Sequence, residues 1–330
     1  VKVAVVILNW NGRQLLEQFL PSVLLFSEHA TIYVADNAST DDSVSYVSGN
    51  FPSIKIIHNE KNGGYAQGYN YALRNLQEDI FVLLNSDVEV TNNWLAPIIE
   101  EFKNDFNVVA AQPKILDYKN KEYFEYAGAA GGFIDRYGYP FCRGRIFNTV
   151  EKDLGQYNDA TKIFWASGAC LFVRASSFRE VEGFDEDYFA HQEEIDLCWR
   201  LHNAGGTILY IGESQVFHVG GATLSSSNPR KTFFNFRNSL FNLTKNVGGG
   251  RVYGTILVRM VLDGLAAFQF LFQGKPAHFL AVLRAHLSFY ASFPKFLRKR
   301  KNGGAINQYY FVKSVVFQYF IRKRKYFTQL

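Results

Sequence analysis

A chain of 330 residues, 48% of them apolar, can bury one large α/β core with an appendage, or two domains. The net charge of +5 hides a split: residues 251–330 carry 14 Lys and Arg against a single acid, Asp263, and that +13 leaves −8 for the first 250 residues. Three scattered cysteines, Cys142, Cys170 and Cys198, have no CxxC spacing; this argues against a disulfide framework or a zinc ribbon and for reduced core thiols in a cytosolic protein.

The chain opens on a strand-like run, Val3 to Leu8, and no secretory leader is expected. Gly12 to Leu25 reads as a helix and Ala30 to Ala35 as a second buried strand ending at Asp36. Ile54 to Ile57 is a third strand, and the Gly-rich Asn62 to Gly68 opens a helix over Ala66 to Leu76. Ile80 to Leu84 is an unbroken apolar run, suited to a strand buried on both faces of a parallel sheet, and it stops abruptly at Asn85-Ser86-Asp87. A helix over Trp94 to Phe102 and a strand over Val108 to Ala111 follow. Lys114 to Thr161 reads as short extended pieces, and Gly168 to Arg174 as a strand. Glu193 to Asn203 is a helix closed by Ala204-Gly205-Gly206, with a strand at Thr207 to Tyr210. Alternating strand and helix at this pitch predicts a doubly wound sheet with right-handed crossovers.

Five clusters interrupt this pattern with polar chemistry. Asp36, with Asn37 and Ser39, is either an N-cap or an acceptor for a base or ribose. Asn62-Gly63-Gly64 is either a tight turn or a place where backbone N–H groups approach a phosphate. Asp87 offers a hard anionic oxygen and Asn85 a neutral one just past a strand's carboxyl end, a set suited to a divalent cation holding a diphosphate. Glu193, Glu194 and Asp196 open a helix: they fit the helix dipole and an Asp196–Arg200 pair, and one of them can equally be a general base. His218 stands alone, and no HExxH-type spacing supports a hydrolytic zinc site.

Beyond Thr232 the composition changes. Ile256 to Phe272, Leu280 to Phe296 and Tyr309 to Phe320 are apolar or aromatic, and basic clusters flank them at Arg298-Lys299-Arg300-Lys301 and Arg322-Lys323-Arg324-Lys325. Ile256 to Phe272 reads as too short and too interrupted by Arg259 and Asp263 to span a bilayer. Three readings remain open: in-plane helices on an anionic membrane surface, a bundle packing on the body, and a nucleic-acid patch for which no reader motif exists.

In this order, VVILNWNG, ADNASTDDS, NGGYAQGYN, LLNSDVEV, WASGACLFVR, GFDEDYF, EEIDLCWRL and VFHVGGATLS resemble family 2 of the inverting, nucleotide-sugar-dependent glycosyltransferases, near its rhamnosyltransferase-like branch. The resemblance covers roughly Val1 to Ser225. It implies a GT-A type, Rossmann-like mixed sheet flanked by helices over residues 1–230, followed by a helical, basic C-terminal extension over residues 231–330. It implies that Asn9, Asp36, Asn62, Gly63, Gly64, Gln67 and Asn85 bind the nucleotide, and that Asp87 and His218 hold Mn²⁺ or Mg²⁺. Glu194 falls at the family's catalytic base, flanked by Glu193 and Asp196, while Trp165, Ser167, Gly168 and Asp185 shape the sugar pocket. Asn85 stands where the family often has Asp, and Glu194 where Asp is more usual.

The expected partners are a UDP- or dTDP-sugar, a glycan or lipid-linked acceptor and an anionic membrane at the inner face of the cytoplasmic membrane, with a homodimer possible and no nucleic acid. Two other readings are a non-catalytic glycan- or sugar-nucleotide-binding subunit and a nucleotidyltransferase. The second is opposed by Asn9-Trp10-Asn11-Gly12-Arg13, which lacks that class's basic Gly-rich loop. A processive synthase is opposed by the lack of a QxxRW-type element.

Overall fold

Every residue from Ile80 to Leu84 is fully buried, because their strand is the inner member of a large mixed sheet with helices on both faces. The computed structural model describes residues 1–220, 228–300, 306 and 308–330; the Gly221 to Ser225 part of VFHVGGATLS and Lys301 lie outside them. The first half of the chain runs β1 (Val3–Asn9), α1 (Arg13–Phe26), β2 (Ala30–Asp36), α2 (Ser43–Asn50), β3 (Lys55–His58), α3 (Gly64–Leu73), β4 (Ile80–Asn85), β5 (Val88–Val90), α4 (Ala96–Asn104) and β6 (Val108–Asp117). Short strands follow: β7 (Gly132–Ile134), β8 (Pro140–Cys142), β9 (Arg145–Ile146), β10 (Thr149–Val150) and β11 (Ala160–Lys162). Then come β12 (Cys170–Arg174), α5 (Ala175–Glu180), α6 (Glu193–Asn203), β13 (Thr207–His218), α7 (Pro229–Asn246), α8 (Arg251–Phe272) and α9 (Pro276–Arg298).

The sheet order is β11-β13-β6-β12-β4-β1-β2-β3, with β5 paired to β13. β1, β2, β3 and β4 are mutually parallel, whereas β12 enters antiparallel between β4 and β6. Alternation along β1 sends Ala4 and Val6 into one core and Val3, Val5 and Ile7 into the other. The second core is lined by α1, α2 and α4, and the first by α3, α5, α6 and α7. The expected mixed sheet is therefore present. Several boundaries differ: α3 spans Gly64–Leu73, β6 runs on to Asp117, and β13 continues through a bulge after Ile211 to reach His218.

The 114–161 region is a second, four-stranded sheet in the order β10-β9-β8-β7, lying beyond β6. The last segment corrects another expectation. Tyr309 to Phe320 is not one continuous apolar helix: its first half is an extended strap in which Val312 bridges Asp135, and its second half turns helical, with a π-helix over Phe317–Ile321. Val315 is buried with Phe141 and Ile146 of the small sheet. Phe327 continues it against Phe133 and Phe141. Phe311 meets Phe133 and Phe141, whereas Phe317 and Phe320 stay exposed.

Helices α7, α8 and α9 pack on one another and on the body. α8 is longer than its apolar core suggested, and by length and composition it reaches what a bilayer crossing requires. Its two charges nevertheless point inward. Arg259 Nε lies 2.7 Å from Asp263 Oδ1, Tyr139 donates to the same carboxylate at 2.8 Å, and Arg259 Nη1 donates to the Tyr137 carbonyl at 3.0 Å. A buried, fully partnered pair of this kind fixes how the helix seats on the small sheet.

Candidate active site

The parallel register aligns three polar residues at the carboxyl ends of neighbouring strands: Asn9 lies opposite Asp36, and Leu8 opposite Asn85. In an open α/β sheet this edge is where ligands collect. Asn9 Nδ2 donates to Asp36 Oδ1 (3.3 Å), Ser39 Oγ (3.2 Å) and Ser43 Oγ (2.9 Å), while its own Oδ1 is buried without a partner. The other Asp36 oxygen accepts from the Ser39 amide at 3.1 Å. Both Asp36 oxygens thus brace the turn from Asp36 to Ser43, so Asp36 shapes this corner rather than reaching freely into it.

An asparagine relay ties the Gly-rich loop to the same edge. Asn59 donates to Asn37 Oδ1 at 3.0 Å, Asn37 donates to Asn62 Oδ1 at 3.0 Å, and Asn62 Oδ1 also accepts the Gly64 amide at 2.9 Å. Gly64 has φ +78°, and a Cβ there would lie 2.4 Å from the Phe189 carbonyl oxygen, so no other residue fits. The Tyr65 amide donates to that same carbonyl at 3.1 Å, locking α3 to the loop that precedes α6.

The opposite corner is built by β5 and β13. Their pairing sets His218 beside Val88, one residue after Asp87, and the Val219 amide donates to the Asp87 carbonyl at 3.1 Å. His218 Nε2 then lies 3.1 Å from Asp87 Oδ1 and 3.5 Å from Asn85 Nδ2. Its Nδ1 faces Glu125 Oε1 at 3.5 Å. Burial alone would lower the His218 pKa, but the Glu125 and Asp87 carboxylates outweigh it and raise the value to about 10. Among the described residues no three His, Cys, Asp or Glu side chains form a complete metal cage. Asp87 offers an anionic oxygen here. His218 holds a proton between the Asp87 and Glu125 carboxylates and adds its Nε2 as a donor only when a bound cation displaces that proton, with Glu125 behind the ring to orient it. That donor set fits a divalent ion whose remaining ligands are diphosphate oxygens and water. Glu125 was not anticipated; a lone Glu in the loop after β6 carries no spacing signal.

Glu193 and Glu194 open α6 on the far side of Tyr65. Burial, then the charge of Glu194, pushes Glu193 well above the ordinary carboxylate range, and its Oε2 is buried without a partner. Glu194 is half-buried, and burial raises it to about 7. Burial above all, then the charges of Tyr69, Glu193 and Glu194, raises the Tyr65 hydroxyl well above its usual value. Tyr65 donates to the Gly168 carbonyl at 2.9 Å, and the adjoining Ala169 carbonyl accepts the Asn85 amide at 3.0 Å. This short chain of contacts joins Tyr65 to the strand end at Asn85, and the charges of Glu193 and Glu194 reach it electrostatically at Tyr65.

Other expected residues are placed differently. Asp196 is fully buried in an ion-pair cluster, 2.7 Å from Arg200 Nε, 2.9 Å from Lys245 Nζ and 2.9 Å from Asn246 Nδ2. Burial would raise its pKa, but Arg200 and Lys245 hold it well below the usual carboxylate range. Asp185 binds Lys245 at 2.8 Å and Lys299 at 2.5 Å, and so ties the loop before α6 to α7 and to the end of α9. Trp165 is buried over Gly132, its Nε1 donating to the Phe133 carbonyl at 3.0 Å. Ser167 is buried against Gln112, and Gln67 donates to Glu186 at 2.9 Å. These hold the walls of the site.

The loop feeding α6 is strained, with positive φ at Phe189, His191 and Gln192. A polar stripe on α7 holds it. Asn238 Nδ2 donates to the Ala190 and His191 carbonyls at 3.0 and 2.7 Å, Asn242 Oδ1 accepts from Tyr188 at 2.7 Å, and Ser239 donates to Gln192 at 2.9 Å. These residues also went unanticipated, although Asn235, Asn238, Asn242 and Asn246 recur at helical spacing in the sequence.

Comparison with known proteins agrees with this architecture. The chain is 27% identical over 229 residues to the N-acetylglucosaminyl-diphospho-decaprenol L-rhamnosyltransferase of Mycobacterium tuberculosis, covering 65% of this chain and 75% of that one. It is 24% identical over 227 residues to rhamnosyltransferase WbbL of Escherichia coli (strain K12), covering 66% and 83%. The fold is similar to that of the mannosyltransferase PcManGT from Pyrobaculum calidifontis, solved with GDP-Man and Mn²⁺, at a TM-score of 0.54 and 14% identity over 90% of this chain and 83% of that one. Residues 4–182 match the model of the glycosyl transferase family 2. With more than half its length matched, the chain belongs to glycosyl transferase family 2 and is a glycosyltransferase drawing on a nucleotide-sugar.

Proposed function

We propose that the protein moves a sugar, with inversion, from a UDP- or dTDP-sugar to a hydroxyl of a lipid-linked glycan in cell-surface polysaccharide synthesis. The observation that carries this reading is the pairing of Asp87 and His218 past the end of β4, with Tyr65, which feels the charges of Glu193 and Glu194, hydrogen-bonded to the Gly168 carbonyl beside the Ala169 carbonyl that accepts the Asn85 amide. Relatives support the acceptor class: one acts, by its name, on N-acetylglucosaminyl-diphospho-decaprenol.

In this mechanism the Asp36–Ser43 turn and the Asn62–Gly64 loop border the nucleotide, and the N-terminus of α3 favours its phosphates. Asp87 and His218 would hold a divalent ion, with Glu125 orienting the imidazole; when bound, the ion neutralises charge on the departing diphosphate. Glu194 accepts the proton from the acceptor hydroxyl as that oxygen forms the new bond to the anomeric carbon and the carbon–diphosphate bond breaks on the opposite face. Burial and the neighbouring Glu194 charge both disfavour the ionised form of Glu193, so of the two carboxylates Glu194 is assigned the base. Asp196 and Asp185 act at one remove by fixing α6 and the loop before it to Lys245 and Lys299.

The test is transfer from a panel of UDP- and dTDP-sugars to a synthetic diphospholipid-linked N-acetylglucosamine, with the product's anomeric configuration read by NMR. The expected product is inverted. A retained configuration would contradict Glu194 as the base of a single displacement.

A further inference from the structure

α8 is built inside out for a helix exposed to water. Arg259 and Asp263, its two charges between Val252 and Phe272, are both buried and paired with each other. The positions turned outward are Tyr253, Leu257, Val261, Leu265 and Phe268, with exposures of 53–68%. They recur every three or four residues, giving one stripe about 22 Å long. Beside it, antiparallel α9 exposes Leu283 and Leu287, and Phe268 meets Phe279 across the pair at 5.8 Å. A soluble helix puts its charges outside, and a contiguous apolar surface of this kind marks an interaction site.

We propose that the outer face of the α8–α9 hairpin docks in the plane of an anionic lipid bilayer. The charges decide the occupant. The sole acid in residues 251–330 is the buried Asp263, whereas Lys275 in the interhelix turn and Arg284 among the exposed leucines of α9 both face outward. A long cation rising from an apolar stripe suits acyl chains below and phosphate headgroups above. A second copy meeting this face about a two-fold axis would bring two Lys275 and two Arg284 into an interface where residues 251–300 offer no exposed acid to meet them. Crossing the bilayer is opposed by the fastening of the hairpin along the body. Arg259 holds the Tyr137 carbonyl at 3.0 Å, and at the other end of α9 Lys295 and Lys299 hold Asp187 at 2.7 and 2.5 Å.

That last contact changes the role of the 298–301 cluster. Lys299 is bound to Asp185 and Asp187, and Arg300 donates to the Thr244 and Gly249 carbonyls, so these two cations are spent on the protein rather than on lipid. The same helix therefore presents an apolar face outward and grips, inward, the turn that leads into α6. Docking would set the catalytic edge at a fixed height above the headgroups.

The experiment is flotation of the full chain with phosphatidylcholine vesicles, with and without phosphatidylglycerol, in the absence of donor and acceptor. It therefore fails separately from the transfer reading. The wild type is expected to float with the anionic vesicles. The triple variant L257E/V261E/L265E should partition at least about 100-fold less, and K275E/R284E about 10- to 100-fold less on anionic vesicles only. All these positions are exposed, so thermal unfolding midpoints should match the wild type. A wild type that stays in the aqueous fraction, or a triple variant that floats like it, overturns the proposal. So does a lipid-free dimer that the triple variant dissolves without any vesicle binding, which would give the face to a second copy. Retention in the bilayer after carbonate extraction would likewise replace in-plane docking with spanning.

Discussion

Replacing Glu194 with Gln is expected to lower turnover by about 10²–10⁴-fold while leaving nucleotide binding within a few-fold of the wild type. The amide keeps the size and position of the side chain but cannot take a proton. The pH profile adds a second readout. Burial raises Glu194 to about 7, and a base must be deprotonated, so kcat/KM should rise with pH and level off above about 7. In Glu194→Gln that rising limb should vanish. Glu193→Gln gives the contrast: burial and the Glu194 charge disfavour the ionised form of Glu193, so the substitution should cost less than about tenfold in rate. If Glu193→Gln proved the crippling change and Glu194→Gln the mild one, the assignment within the pair would have to be exchanged.

Asp87→Ala is expected to abolish Mn²⁺-dependent binding of the nucleotide and to lower turnover by about 10²–10³-fold or more, because charge on the departing diphosphate is left uncompensated. Calorimetric titration of Mn²⁺ in the presence of UDP reads the first effect directly. Glu125→Ala should act on the same titration more weakly, by about 10–100-fold, as the loss of an orienting carboxylate behind a ligating imidazole does. Mn²⁺ affinity unchanged in Asp87→Ala would remove the β5–β13 corner from metal binding.

The strands that carry the site were legible because each ends an apolar run with oxygen-bearing residues. Asn9, Asp36 and Asn85 stand where β1, β2 and β4 stop, and parallel pairing necessarily lines those stops up. The Glu193-Glu194 pair was legible as more acid than a helix N-terminus requires. What stayed hidden depends on partners far along the chain. Asp185 and Asp196 read as site acids because nothing local shows that Lys245 lies 60 and 49 residues on, or Lys299 114 residues beyond Asp185. Glu125 becomes visible only when the extended β13 delivers His218 to it. The end of the chain misled for a different reason. Tyr309 to Phe320 reads as one apolar helix, yet only its second half is helical; the first half is extended and sets Phe311 against Phe133 and Phe141, a surface that exists only once the small sheet has formed. In α8 the sequence showed Arg259 and Asp263 as interruptions; at i, i+4 spacing they are one inward pair.

The most direct test of the whole account is a calorimetric panel of UDP, dTDP, GDP and CMP against the purified, folded chain, with and without Mn²⁺. The account predicts Mn²⁺-dependent binding of UDP or dTDP, and its disappearance in Asp87→Ala. A folded protein that bound none of the four, or bound them equally well without the metal, would contradict it.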